Sequence, residues 1–165
     1  MEIGTLAPIH LSWADALARL GASIVFALAL GIERFVHKKP IDFRPFVIIS
    51  LSACGLGLLV SELPYASADA NLSIDPAKVI SGVMSGIGFL GAGALFREGD
   101  IVKGAGSAAS IWSSGAIGLL CGMGFLWLAA LVAFAILSLF LLSRRLVDNG
   151  AYTARLDDAE DNQDR

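Results

Sequence analysis

The chain has 165 residues, 56 % of them hydrophobic and only 16 % charged, with a mean hydropathy of +0.72. That balance excludes an ordinary water-soluble domain, because so much apolar surface has nowhere to go but a bilayer. The net charge of −3 says little about partners, since Asp157, Asp158, Glu160, Asp161 and Asp164 crowd the last nine residues as a solvated acidic run; no nucleic-acid partner is expected.

The N-terminus has no Lys or Arg before Arg19 and no small-x-small cleavage pattern after its apolar run, so residues 1–13 are expected to stay as a short outer segment. A first span is expected over residues 14–32, opened by Ser12 and Asp15 at capping-box spacing. Arg19, about one turn inside it, is expected to reach the headgroups or to pair with Asp15. The second span covers residues 45–61, with Pro45 at a helix start, where a missing N–H does no harm. Cys54 near mid-span and Cys121 near a span end are expected at different depths, as small packing residues and not as a disulfide.

The third span, residues 77–96, opens with Asp75 as N-cap and Pro76 at the first helical position. From 104 to 143 the chain has 40 consecutive uncharged residues, about 60 Å as one helix and twice a hydrocarbon core of roughly 30 Å. It must turn back, and Gly122-Met123-Gly124 supplies the hinge. The fourth span is then 107–121 and the fifth 125–143, followed by an acidic, disordered cytoplasmic tail over 144–165. The expected fold class is all-α: a polytopic membrane bundle of five transmembrane helices over 14–143.

Basic residues orient the bundle. Arg34, Lys38, Lys39, Arg44, Arg97, Lys103, Arg144 and Arg145 fall on one face and only Arg19 and Lys78 on the other. The positive-inside rule then puts the N-terminus outside and the C-terminus in the cytoplasm, with Trp13 and Trp127 in the outer aromatic belt.

Gly86-x-Gly88-x-x-Gly91 has the letters of a dinucleotide-binding loop. It lacks the preceding strand, the exposed helix and the carboxylate about 20 residues on that the chemistry needs. Glycine in a membrane helix has another use, which is close backbone approach between helices. In the third span Gly82, Gly86 and Gly93 form one stripe and Ser81, Ser85, Gly88 and Ala92 a second, with Val79, Val83, Ile87 and Leu90 covering the other side. The fourth span repeats Gly106, Ser110, Ser114, Gly118 and Gly122 every four residues. Spans three and four are expected to pack together, with serines adding interhelical hydrogen bonds, and the surplus stripe to meet span one or two or another protein.

No chemistry is evident. His10 and His37 lie outside the spans, and no carboxylate pair or HExxH motif lies at membrane depth, so neither a catalytic centre nor a cofactor or metal site is expected. Polar side chains collect instead at the inner ends: Glu33, Arg34, Arg44 and Arg97. They serve as membrane anchors with local ion pairs, or as a cluster able to hold a partner or a phosphate.

The strings "LGIER" at 30–34, "DPAKVISGVMSGIGFLGAGALFREG" at 75–99 and "VKGAGSAASIWSSGAIGLLCGMG" at 102–124 resemble the MgtC/SapB family of bacterial inner-membrane proteins over roughly 14–143. The resemblance implies five membrane helices. It also implies links to growth under magnesium limitation and to survival inside macrophages, through contact with other membrane proteins such as ATP synthase and not through Mg²⁺ transport. The family pattern carries onto Gly31, Glu33, Arg34, Arg44, Asp75, Ser85, Gly86, Gly88, Phe89, Leu90, Gly91, Gly93, Gly104, Ala108, Ala109, Trp112 and Gly118. It departs where Arg44-Pro45-Phe46 replaces Arg-Thr-His or Arg-Thr-Asn, where Ala105-Gly106-Ser107 replaces Leu-Thr-Thr or Leu-Asn-Thr, and where Gly82 replaces a common Gln. Many relatives active in virulence carry a soluble domain after the fifth helix; the roughly 22 residues here are too few for one with its own core. The expectation is a non-enzymatic protein that docks onto or regulates a membrane partner, or assembles with itself. The alternatives are a small transporter or channel with Glu33, Arg34, Arg44 and Arg97 around an inner vestibule and, less favoured, an intramembrane enzyme.

Overall fold

A computed structural model describes residues 7–36, 42–66, 75–98 and 101–161, with side chains over 7–36, 42–66, 75–95 and 104–143. In chain order the elements are α1 (Trp13–Val36), α2 (Arg44–Ala66), α3 (Pro76–Gly93), β1 (Phe96–Glu98), β2 (Ile101–Lys103), α4 (Ala105–Gly122) and α5 (Leu126–Asp161). The helix starts are chemically marked. The Ser12 hydroxyl accepts the Asp15 N–H at 3.0 Å and donates to its carboxylate at 2.7 Å. Asp75 caps α3 by accepting the Ala77 N–H at 2.9 Å, with Pro76 following.

Three helices are long and apolar enough to cross a membrane: α1, α2 and the Leu126–Ser143 part of α5. α3 and α4 have 18 residues each, about 27 Å at the α-helical rise, and their many glycines and serines dilute their hydropathy.

Two expectations are corrected. Residues 96–98 continue no helix but form the first strand of an antiparallel hairpin, pairing Phe96 with Lys103, Arg97 with Val102 and Glu98 with Ile101. The chain can leave the helix here because α3 ends at Gly93 with Ala94 as C-cap, and only Gly99 and Asp100 separate the strands, a pair suited to tight hairpins. The tail expected to be disordered is helical to Asp161. Beyond Ser143 no proline interrupts, and extending an existing helix through Arg144, Leu146, Ala151 and Ala154 avoids the cost of a new nucleus. Residues up to Ala133 form one compact unit and those from Phe134 another.

In the first unit α4 is central, packing against α1, α2 and α3. Its Ser107, Ser110, Ile111, Ser114, Gly115, Ile117, Gly118, Leu119, Cys121 and Gly122 are all buried. The tightest contact is with α2, and its period is four. The Ser114 hydroxyl donates to the Phe46 carbonyl at 2.6 Å. A Cβ added at Gly118 would strike the Ser50 carbonyl, and one at Gly122 the Cys54 carbonyl. Each pair is 68 positions apart, so the two helices run parallel. On the α2 side, a Cβ at Gly57 would come within 2.9 Å of the Leu119 carbonyl. Helices in lipid associate through such close backbone approach.

α1 runs antiparallel to α2. The Ser50 hydroxyl donates to the Ser23 carbonyl at 3.3 Å, and a Cβ on Gly31 would meet the Phe43 Cβ at 2.9 Å. Cys54 and Cys121 are free and buried, but not at the depths expected: the Cys54 carbonyl backs onto Gly122, so both lie at one level. α4 simply ends beside the middle of α2, which continues to Ala66. Arg19 acts on Asp15 through its charge, but its hydrogen bond goes elsewhere: the guanidinium donates to the Gly122 carbonyl at 2.9 Å, where cationic groups offset the partial negative charge of a helix C-terminus. The chain turns after α4 on Gly124, whose φ of +88° suits glycine and whose added Cβ would press on the same guanidinium at 3.0 Å.

Candidate functional site

α3 is fastened to the bundle by little. Only Ile87 and Gly91 of its residues are buried. Ile87 joins Phe46 and Ile111 in an apolar cluster, with Ile49, Val83 and Ala94 packed against it, and its Cδ1 occupies the space a side chain at Gly115 would need. Gly91 lies against Ala108, whose carbonyl would be 3.4 Å from an added Cβ.

Gly91 apart, the small-residue stripes of α3 therefore do not face α4 as expected. The large Val83 and Ile87 point inward, while Ser81, Gly82, Ser85, Gly86, Ala92 and Gly93 are exposed. A Cβ added at Gly82, Gly86, Gly88 or Gly93 would meet nothing within 4 Å. The physical reason lies in α4: its small stripe is already occupied by the Ser50–Cys54–Gly57 face of α2, so α3 is left to pack with bulk against Gly115. Phe89 is 81 % exposed and Leu90 55 %, standing beside the bare glycines.

Shallow apolar grooves flank the helix. One of about 380 Å³ runs between α2 and α3, with Ile48, Ser52 and Leu56 facing Gly82, Gly86 and Leu90. Another of about 240 Å³ lies between α3 and α4, lined by Ile80, Met84, Trp112 and Leu120 among others. Of the remaining signature residues, Ala109 is exposed and Ala108 half-buried. Gly104 makes the α3-to-α4 connection possible: its φ is +90°, and a side chain there would strike the Ala94 carbonyl.

The expected inner polar cluster divides. Glu33 and Arg34 form an ion pair at 2.7 Å with side chains 9 % and 11 % exposed. Arg34 lies over the first turn of α4, where a Cβ on Gly106 would come within 3.1 Å of its guanidinium. Arg44 is elsewhere: its side chain is 74 % exposed and paired with Asp42 at 2.9 Å. Arg97 sits in β1; its side chain, like Lys38 and Lys39, lies outside the described residues.

The opposite end holds an arrangement that sequence reasoning missed. The Glu62 carboxylate accepts the backbone N–H groups of Ile9, His10 and Leu11, and His10 stacks on Tyr65. The only sequence signal was a carboxylate placed just past an apolar run. Among the described residues no group of three or more His, Cys, Asp or Glu side chains could hold a metal ion.

The MgtC family model matches residues 20–149. Protein SapB of Bacillus subtilis is 31 % identical over 120 residues, covering 70 % of this chain and 52 % of that protein. Protein MgtC of Brucella abortus is 33 % identical over 134 residues, covering 81 % and 53 %, and Protein MgtC of Salmonella typhimurium 32 % over 108 residues, covering 66 % and 43 %. The chain thus spans about half the length of the curated relatives it matches. No solved structure matches it. A family match over most of the chain, on the segments that build α1 to α4 and their junctions, makes this protein a member of the MgtC family.

Proposed function

We propose that the protein is a non-enzymatic, multi-pass inner-membrane protein that docks the small-residue face of α3 onto a transmembrane helix of another membrane protein or of a second copy. One observation carries this reading: four glycines of α3 whose missing side chains make room for nothing among the described residues. Each costs about 1 kcal/mol in helix propensity relative to alanine, and lipid tails give nothing back for a bare helix surface. A helix packed against Gly82 and Gly86, four residues apart, would.

In this reading all five helices cross the bilayer, α3 and α4 despite their diluted hydropathy. Support comes from the packing directions, since α2 runs antiparallel to α1 and parallel to α4, as alternate crossings require. The basic residues place the N-terminus outside and the C-terminus in the cytoplasm. The link to magnesium limitation that the family resemblance implies belongs to the same proposal, and growth of a deletion strain at low Mg²⁺ tests it.

The docking test is crosslinking in native membranes. Gly82→Leu and Gly86→Leu are expected to abolish the wild-type crosslinked species while leaving the amount of protein unchanged; persistence of every such species in both variants overturns the proposal. The buried Glu33–Arg34 pair favours a second reading, a small transporter or channel, for which flux in proteoliposomes should vanish in Glu33→Ala.

A further inference from the structure

Where α1 begins and α2 ends, a single carboxylate gathers one segment of chain. Glu62 accepts the Ile9 N–H at 2.6 Å and the His10 N–H at 3.0 Å on Oε2, and the Leu11 N–H at 2.7 Å on Oε1. The His10 ring lies flat on that of Tyr65, with centroids 3.8 Å apart and planes 6° from parallel. Glu62 and Tyr65 are three apart on α2 and so share a face. Residues 9–11 are therefore strapped across the end of α2 by one carboxylate and one ring, and the strap is open to water: Ile9 is 56 % exposed.

The chemistry of that strap depends on charge. An ionised carboxylate only accepts hydrogen bonds and can satisfy three converging donors; once protonated, one oxygen carries a hydrogen of its own that would point at an N–H. Among the described residues the charged group acting on Glu62 is His10. Asp15 of α1 is engaged by Ser12 and Arg19 by the Gly122 carbonyl.

We propose that residues 9–11 form an acid-released latch, closed while Glu62 is ionised and opened when its carboxylate takes a proton. The closed form is fully present above the titration of Glu62 and is lost as pH falls through it. On the orientation proposed above, the latch faces the medium.

Desolvation raises the Glu62 pKa, but the His10, Leu11 and Ile9 N–H groups outweigh it and hold the carboxyl below the usual glutamate range. Hydrogen exchange on the full chain in nanodiscs, corrected for intrinsic rates and followed from pH 7 to about pH 2, well below an ordinary carboxylate near about 4.3, tests this directly. The Ile9, His10 and Leu11 amides are expected to be protected at pH 7 and to lose roughly tenfold or more in acid, while Ala27 and Leu30 in α1 stay protected. Glu62→Gln should remove the protection at pH 7, and His10→Ala should keep the acid opening. Unchanged protection in Glu62→Gln, or no loss in acid, overturns the latch. Loss of the acid response in His10→Ala would also overturn it, by assigning the switch to the imidazole. Should Glu62→Gln fold poorly, the pH series on the wild type still decides.

Discussion

α3 and α4 are both 18 residues long and both rich in glycine and serine, yet they use them in opposite ways. In α4 the absent side chains are filled by the backbone of α2 at Ser50 and Cys54; in α3 the space over Gly82, Gly86, Gly88 and Gly93 is empty. The same composition therefore builds the bundle in one helix and leaves a bare face in the other. A small-residue stripe marks a surface meant for close approach, and what approaches it is decided by the neighbours that fold around it.

Substitutions can break this contrast one helix at a time. The largest effect is expected at Gly118→Ala, where even a methyl collides with the Ser50 carbonyl and backbone must move, at a cost of about 3 kcal/mol or more; thermal melts in mild detergent would show it as a large fall in Tm. Gly104→Ala comes next, because the left-handed φ costs about 1–2 kcal/mol before any clash with Ala94, and should appear in the same melt. Ser114→Ala removes the α4-to-α2 hydrogen bond to the Phe46 carbonyl, worth about 0.6–1.7 kcal/mol in membrane helices, and a double substitution with a distant site should be additive. The smallest is Arg19→Gln, which withdraws a cation from the end of α4 and should cost about 0.3–1 kcal/mol, less at high salt.

Much of this was legible in the sequence. The starts of α1 and α3 follow from Ser12 with Asp15 and from Asp75-Pro76, and the turn before α5 from Gly124. The long apolar runs located α1, α2 and α5. What could not be read was pairing. Periodicity names the face of a helix but not its neighbour, so the stripe of α4 was matched to the more conspicuous glycines of α3 and not to Ser50, Cys54 and Gly57, which are interleaved with large residues.

The Arg19-to-Gly122 and Glu62-to-N-terminus contacts join residues 103 and 51–53 positions apart, beyond any local signal. Arg44 was grouped with Glu33 and Arg34 by its place at a helix end, yet Asp42, two residues before it, takes the guanidinium. The hairpin has no counterpart in the sequence reading, because its strands are three residues each, too short for alternation to register.

The most direct test of the central claim compares Gly86→Leu with Gly118→Leu by thermal unfolding in one detergent. Gly86→Leu is expected to melt within about 2 °C of the wild type, because its new side chain enters open space, while Gly118→Leu should fail to fold. A Gly86→Leu protein that unfolds as Gly118→Leu does would mean the glycines of α3 are buried against the chain itself, and would contradict the account.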